Sequence, residues 1–184
     1  KELEKNDLPK ADQYYLEICG ANSSATVYAN GKEIASHDGG YSTWRVNITD
    51  VLTEKTLFVI AVDNGINDRV YPQTADFTFY GGLYRDVNII AVNESHFDLD
   101  YYGGPGIKYD TSVTGKNALV RVNVYTNIDV NELDAKRLWV KVTLKDADGN
   151  VVAGLPAAED GDSLFTVLPI ENVHLWDGVE DPYL

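Results

Sequence analysis

Basic residues are scarce in this chain of 184 residues: 15 Lys plus Arg stand against 29 Asp plus Glu, a formal net charge of −14. A surface of that sign repels phosphate backbones and anionic lipid headgroups, which argues against nucleic-acid and membrane-surface partners. Cysteine is almost missing. Cys19 alone forms no internal disulfide, and its apolar strand context reads as a small buried hydrophobe. Long apolar runs are missing too. The longest, Leu57 to Val62 and Val87 to Val92, have strand length, far short of the roughly 18–20 residues that span a bilayer. The chain opens on Lys1 rather than Met, in a charged stretch with no apolar signal-peptide core behind it. No window holds a 3.6-residue apolar period over three turns, and no short repeat is evident.

What is present is core material. Hydrophobic residues make up 44% and aromatics 11%, with 12 tyrosines, enough to argue against disorder despite the charge. The length suits one large all-β domain or two ordinary ones. The apolar period is two almost throughout. Tyr14 to Ile18 reads as a strand, and Ala25 to Tyr28 with Lys32 to Ala35 reads as a hairpin. Asn30–Gly31 between them supplies the positive φ values of a type I′ turn. Thr43 to Ile48 puts Trp44, Val46 and Ile48 on one face and Arg45 and Asn47 on the other. Asp50-Val-Leu reads as one capped turn before the strand Leu57 to Val62. Asp63 to Asp76 is a long polar loop, a length that is often functional.

After the strand Val87 to Val92 the pattern restarts. Phe97 to Tyr101, Ala118 to Tyr125, Leu138 to Lys145, Val151 to Gly154 and Leu164 to Leu168 read as strands, with Asp148–Gly149 as a second hairpin turn. The expectation is all-β, two antiparallel β-sandwiches in series, over residues 1–92 and 93–184. Only about six strands precede Asn93, few for a sandwich, and the chain closes on Pro182-Tyr-Leu as if a strand were beginning. The sequence therefore reads as a piece of a longer protein, short of N-terminal strands and cut within its last one.

The search for chemistry returns mostly negatives. His37, His96 and His174 are far apart, and none has a second His or Cys at metal-ligand spacing. No nucleophile elbow, phosphate-binding glycine loop or His-Glu-x-x-His is present. Tyr102-Gly-Gly-Pro-Gly reads as a mobile turn. Asp146-Ala-Asp-Gly-Asn lacks the later ligands of a calcium loop and reads as a hairpin. Asp63, Asn67 and Asp68 have calcium-ligand chemistry, but a solvated loop is the simpler reading. Asn22-Ser-Ser, Asn47-Ile-Thr and Asn93-Glu-Ser match the N-glycosylation triplet, a pattern short enough to arise by chance.

The informative stretch runs from Gly20 to Val87. Gly20-Ala-Asn22-Ser-Ser-Ala-Thr-Val-Tyr-Ala-Asn-Gly, followed by Ala75-Asp76-Phe-Thr-Phe-Tyr-Gly-Gly-Leu-Tyr-Arg-Asp-Val87, resembles the glycoside hydrolase family 2 enzymes, and within them the β-galactosidases. Trp176 to Leu184 is similar to the segment that closes the family's second domain. The resemblance implies a galactose-binding-like jelly roll over 1–92 and an immunoglobulin-like sandwich over 93–184. It implies a retaining β-galactosidase whose catalytic residues lie on a C-terminal barrel absent from this chain, so that this chain alone is inactive. Asn22 and Asp76 match the pair that the family's jelly roll lends to the substrate pocket. An amide and a carboxylate orient sugar hydroxyls without acid–base work. The bland readings are an Asx turn for Asn22 and a turn carboxylate for Asp76.

The resemblance also attaches a sodium ion to Asp76 and a magnesium ion to the absent barrel. Arg85 is expected to make structural contacts. Glu94 and Glu132 follow asparagines as the family's acid/base glutamate does. Glu94 sits where the family links its sandwiches, and neither has a barrel around it, since eight β/α units take roughly 200 residues. The expected partners are a β-galactoside and the protein's own barrel, with oligomerisation through exposed strand edges open. The compartment stays open between bacterial cytoplasm and periplasm. Two other functions fit the composition: a stand-alone carbohydrate-binding module and a tandem-sandwich bacterial adhesin.

Overall fold

In the computed structural model, which describes residues 1–71, 74–129, 132–133 and 138–182, strand follows strand in two units, Lys1–Gly104 and Pro105–Leu184. The first holds β1 (Glu2–Glu4), β2 (Gln13–Ile18), β3 (Ala21–Asn22), β4 (Ser24–Ala29), β5 (Lys32–Asp38), β6 (Trp44–Asn47), β7 (Lys55–Asp63), β8 (Gly82–Leu83) and β9 (Val87–Val92). The second holds β10 (Ile107–Thr114), β11 (Asn117–Val124), β12 (Lys141–Lys145), β13 (Val151–Pro156), β14 (Ala158–Asp160) and β15 (Ser163–Ile170). The named strands pair antiparallel, so the all-β expectation is met. Among the described residues no helix is long and apolar enough to cross a membrane.

In the first unit a sheet ordered β1-β7-β4-β5 faces a sheet ordered β6-β2-β9, with β3 and β8 pairing at one end. The alternation along β4 turns Ala25, Val27 and Ala29 inward against Leu16 and Ile18 of β2 and Phe58 of β7. Trp44 and Ile48 are buried on the face the sequence gives them, and Val46 packs beside them. Asn30 and Gly31 take φ +49° and +83° between the paired Ala29 and Lys32, as the type I′ expectation requires. Asn30 also accepts from Leu57 N at 2.8 Å, so the turn stitches β4 to β7.

In the second unit the sheet β10-β11-β15-β14 packs on the β12–β13 hairpin. Val120, Val122, Val124, Leu164 and Leu168 are buried against Val142, Leu144 and Ala153. The Asp146 carboxylate closes the Asp148–Gly149 turn by accepting from Asp148 N (3.0 Å), Asn150 N (2.8 Å) and Asn150 Nδ2 (3.0 Å). That spends its oxygens on the hairpin rather than on a cation.

Several expectations fail locally. Phe97 to Tyr101 forms no strand: Arg45 Nη1 instead donates to the carbonyls of Leu99 and Gly104, both at 2.9 Å, so a side chain replaces a ladder. β10 was not expected, because all eight of its residues are exposed and no buried face marks it. β1, β3, β8 and β14, of two or three residues each, are too short for a period to show. The turn after β6 is a 3-10 turn over Thr49–Val51 with no side-chain cap at Ile48; Asn47 Oδ1 accepts from Thr49 N at 2.9 Å instead. Cys19 is half-buried rather than buried, 3.6 Å from the Glu17 carboxylate. Burial pushes its thiol pKa up and Glu17 adds to that.

Candidate functional site

Asn22 ends β3, where it pairs with Gly82, and only 4% of its surface is exposed. Its Nδ2 donates to Tyr80 O at 2.7 Å, while its Oδ1 accepts no hydrogen bond among the described residues. Gly40 lies flat against it: a Cβ there would stand 2.7 Å from Asn22 Cγ, closer than any side chain allows. The Gly81-Gly-Leu-Tyr-Arg-Asp-Val87 run is the brace behind this arrangement. A Cβ on Gly81 would meet Asn64 Nδ2 at 2.6 Å, and Gly82 takes φ +81°. Leu83 pairs with Ala21. Tyr84 Oη donates to Gly40 O at 2.6 Å, Arg85 Nη1 donates to Tyr41 O at 2.8 Å, and Asp86 O accepts from Cys19 N at 3.0 Å. Arg85 therefore makes the structural backbone contact expected of it. Within the motif Gly82 pairs with Asn22, and Tyr84 and Arg85 hold the loop at Gly40 and Tyr41.

The polar loop after β7 is fastened at its start. Ser23 donates to Asp63 O through N (3.0 Å) and Oγ (3.2 Å). Arg69 Nε reaches Asp38 Oδ2 at 2.8 Å, and Ser24 Oγ donates to Asp38 Oδ1 at 2.6 Å. The Ser24 hydrogen bond, then Arg69, hold the Asp38 carboxyl below its ordinary range. Asp63 Oδ1 accepts from Gly65 N, and Asn67 Oδ1 from Arg69 N and Val70 N. These are turn contacts, as the solvated-loop reading expects. Asp76 is exposed and makes no hydrogen bond or ion pair among the described residues. It precedes Phe77 and Phe79, whose rings meet at a tilt of 32° with centroids 4.8 Å apart, and then Tyr80. The described residues bring no three His, Cys, Asp or Glu together.

The sequence profile of the family described as glycosyl hydrolase 2 galactose-binding domain-like matches residues 2–81. The chain carries the galactose-binding-like domain of glycoside hydrolase family 2. A β-glucuronidase of Bacteroides fragilis is 31% identical over 95% of the chain, which covers 26% of that protein. A β-galactosidase of Clostridium acetobutylicum is 26% identical over 99% of the chain and 19% of its own length. Among solved structures, an FMN-binding β-glucuronidase from Faecalibacterium prausnitzii L2-6 superposes with a TM-score of 0.82 at 34% identity, over 96% of this chain and 27% of that one. The chain thus spans between about a fifth and a quarter of the length of these relatives.

The other candidates are scattered. Glu94 follows β9 with its N–H held by Asp12 Oδ2 at 2.9 Å. Asn131 lies outside the described residues, as do Tyr183 and Leu184 of the closing segment. His37 stacks on Trp44, and His96 meets Phe97 O at 2.7 Å. In the second unit His174 pairs with Asp181 at 2.6 Å. Burial of Asn22 removes it as a glycan acceptor. Sequence reading missed Gly40 and the Ser24–Asp38–Arg69 tie, whose members lie 14 and 31 residues apart and share no local signal.

Proposed function

We propose that this chain is the non-catalytic N-terminal portion of a retaining family 2 β-glycosidase, and that its first unit lends Asn22 and Asp76 to the substrate pocket. The observation that carries the reading is Asn22 itself. It is buried and clamped through Nδ2, with its Oδ1 left free, on a strand joined to the segment that Asp76 opens. Among the described residues Trp44 Nε1 is the buried side-chain polar atom without a partner, so Asn22 Oδ1 faces solvent and is open to a ligand that displaces it. A sugar hydroxyl can donate to Oδ1, and the exposed Asp76 carboxylate accepts from a neighbouring hydroxyl. Bond cleavage needs a second carboxylate about 5 Å from the first, on either side of the scissile bond. In this proposal both come from the remainder of the protein.

The substrate class in this reading is a terminal β-glycoside. Glucuronides are favoured by the Bacteroides and Faecalibacterium relatives, and galactosides by the Clostridium relative and by the form of the motif. Arg69 and Arg85 are engaged with Asp38 and Tyr41 O. The cation that would recognise a uronate carboxylate therefore belongs to the remainder, and the choice between the two sugars is made there. Sodium at Asp76 is part of the same proposal. Two results test it. The chain alone is expected to give no turnover of chromogenic β-galactosides or β-glucuronides. In the full-length enzyme Asn22→Ala is expected to lower kcat/KM about tenfold or more, the cost of one hydrogen bond to a buried group. Turnover by the chain, or unchanged kinetics in a folded Asn22→Ala enzyme, contradicts it.

A further inference from the structure

Beside β6 lies a cleft of about 500 Å³ that the proposed pocket does not use. One wall is the stack of His37 on Trp44, with centroids 5.0 Å apart and planes within 16°. Ser42 Oγ sits 3.2 Å from His37 Nε2 and fixes that ring. The opposite wall is the segment 99–103, pinned from below by Arg45 Nη1 through the carbonyls of Leu99 and Gly104. On it stands Tyr102, 90% exposed, with φ +48° and its ring edge-on to Tyr101 at 5.0 Å. Asp100 lines the same cleft, and its carboxylate makes no hydrogen bond or ion pair among the described residues. The buried indole Nε1–H of Trp44 also lacks an acceptor.

We infer that this cleft is a second carbohydrate-binding site, for a neutral pyranoside. The inference does not rest on Asn22 or Asp76. A pyranose has two apolar C–H faces and an equator of hydroxyls. An exposed aromatic ring such as that of Tyr102 takes the face. An unpaired carboxylate accepts from two adjacent hydroxyls. Arg45 cannot serve an anion here, because its guanidinium is already shared between Glu17 and two carbonyls. Together with Asp100 and the net charge of −14, that selects neutral sugars over uronates.

The test is a titration of the 184-residue chain with methyl β-galactoside, cellobiose and methyl β-glucuronide, followed by proton–nitrogen correlation NMR. The two neutral sugars are expected to move the Trp44 indole and Gly103 amide signals with millimolar affinity, and the glucuronide to bind more weakly. Tyr102→Ala and Asp100→Ala, both on exposed side chains, are expected to weaken binding about tenfold or more, while Asp76→Ala leaves it unchanged. Absence of shifts at saturating sugar overturns the inference. So do shifts that survive both cleft substitutions, or shifts at Asn22 and Tyr80 that Asp76→Ala removes.

Discussion

At the scale of single residues, the side chains that matter are held by partners distant in sequence. Arg45 and Glu17 face each other across β6 and β2, paired at 2.8 Å with side chains 9% and 14% exposed. Burial pushes the Glu17 carboxyl up, but hydrogen bonds from Asn88 and Arg45 and the charge of Arg45 outweigh it and leave it lowered. A lowered carboxyl contributes stability that is present above the unfolded-state value and is lost as pH falls through the folded one. Stability of the wild type to urea is therefore expected to fall in acid below the ordinary glutamate range, and Glu17→Gln to flatten that part of the profile. Arg45→Ala strands the buried Glu17 and releases the segment 99–104. It is expected to cost about 3 kcal/mol in the same assay. A loss near zero would mean that the pair is solvated.

At the scale of elements, what could be read from the sequence was what is chemically local. Asn30–Gly31 announces its turn because few other residues adopt two positive φ values in succession. β4 and β6 announce themselves by alternation, and β2 by its short apolar run, in which Tyr14, Tyr15 and Leu16 are buried in succession. β10 could not be read, since neither of its faces is covered. Phe97 to Tyr101 misled because its apolar residues pack as a loop fastened by Arg45. Asn22 and Asp76 were found through the motif that surrounds them. The physical reason for that motif, a brace on Gly40 and Tyr41, needed the fold.

Two glycines separate the causes. Gly31→Ala meets no atom within 4 Å but keeps φ +83°, so it is expected to cost about 1 kcal/mol from backbone strain alone. The Asn22 side-chain amide signals should stay unmoved. Gly40→Ala drives a methyl group into Asn22. Those signals are expected to shift, with about 1–3 kcal/mol of destabilisation from overpacking. Equal behaviour of the two variants would refute the contact.

At the scale of the whole molecule, the chain spans between about a fifth and a quarter of its relatives, and its described residues form fifteen strands. A (β/α)₈ barrel needs roughly 200 residues of its own. In the proposed division of labour the N-terminal unit supplies fixed hydrogen-bonding groups and the remainder supplies the reacting carboxylates. The excess of acidic residues adds nothing specific to that chemistry, and the arginines nearest the site are engaged in holding loops. The most direct measurement of the central claim is kcat/KM of the full-length enzyme carrying Asp76→Ala, taken with its unfolding midpoint. Asp76 is exposed and without a protein partner among the described residues, so the midpoint should stay where it is. The account predicts that kcat/KM falls about tenfold or more, as loss of a charged hydrogen bond to substrate implies. Wild-type kcat/KM at an unchanged midpoint would contradict it.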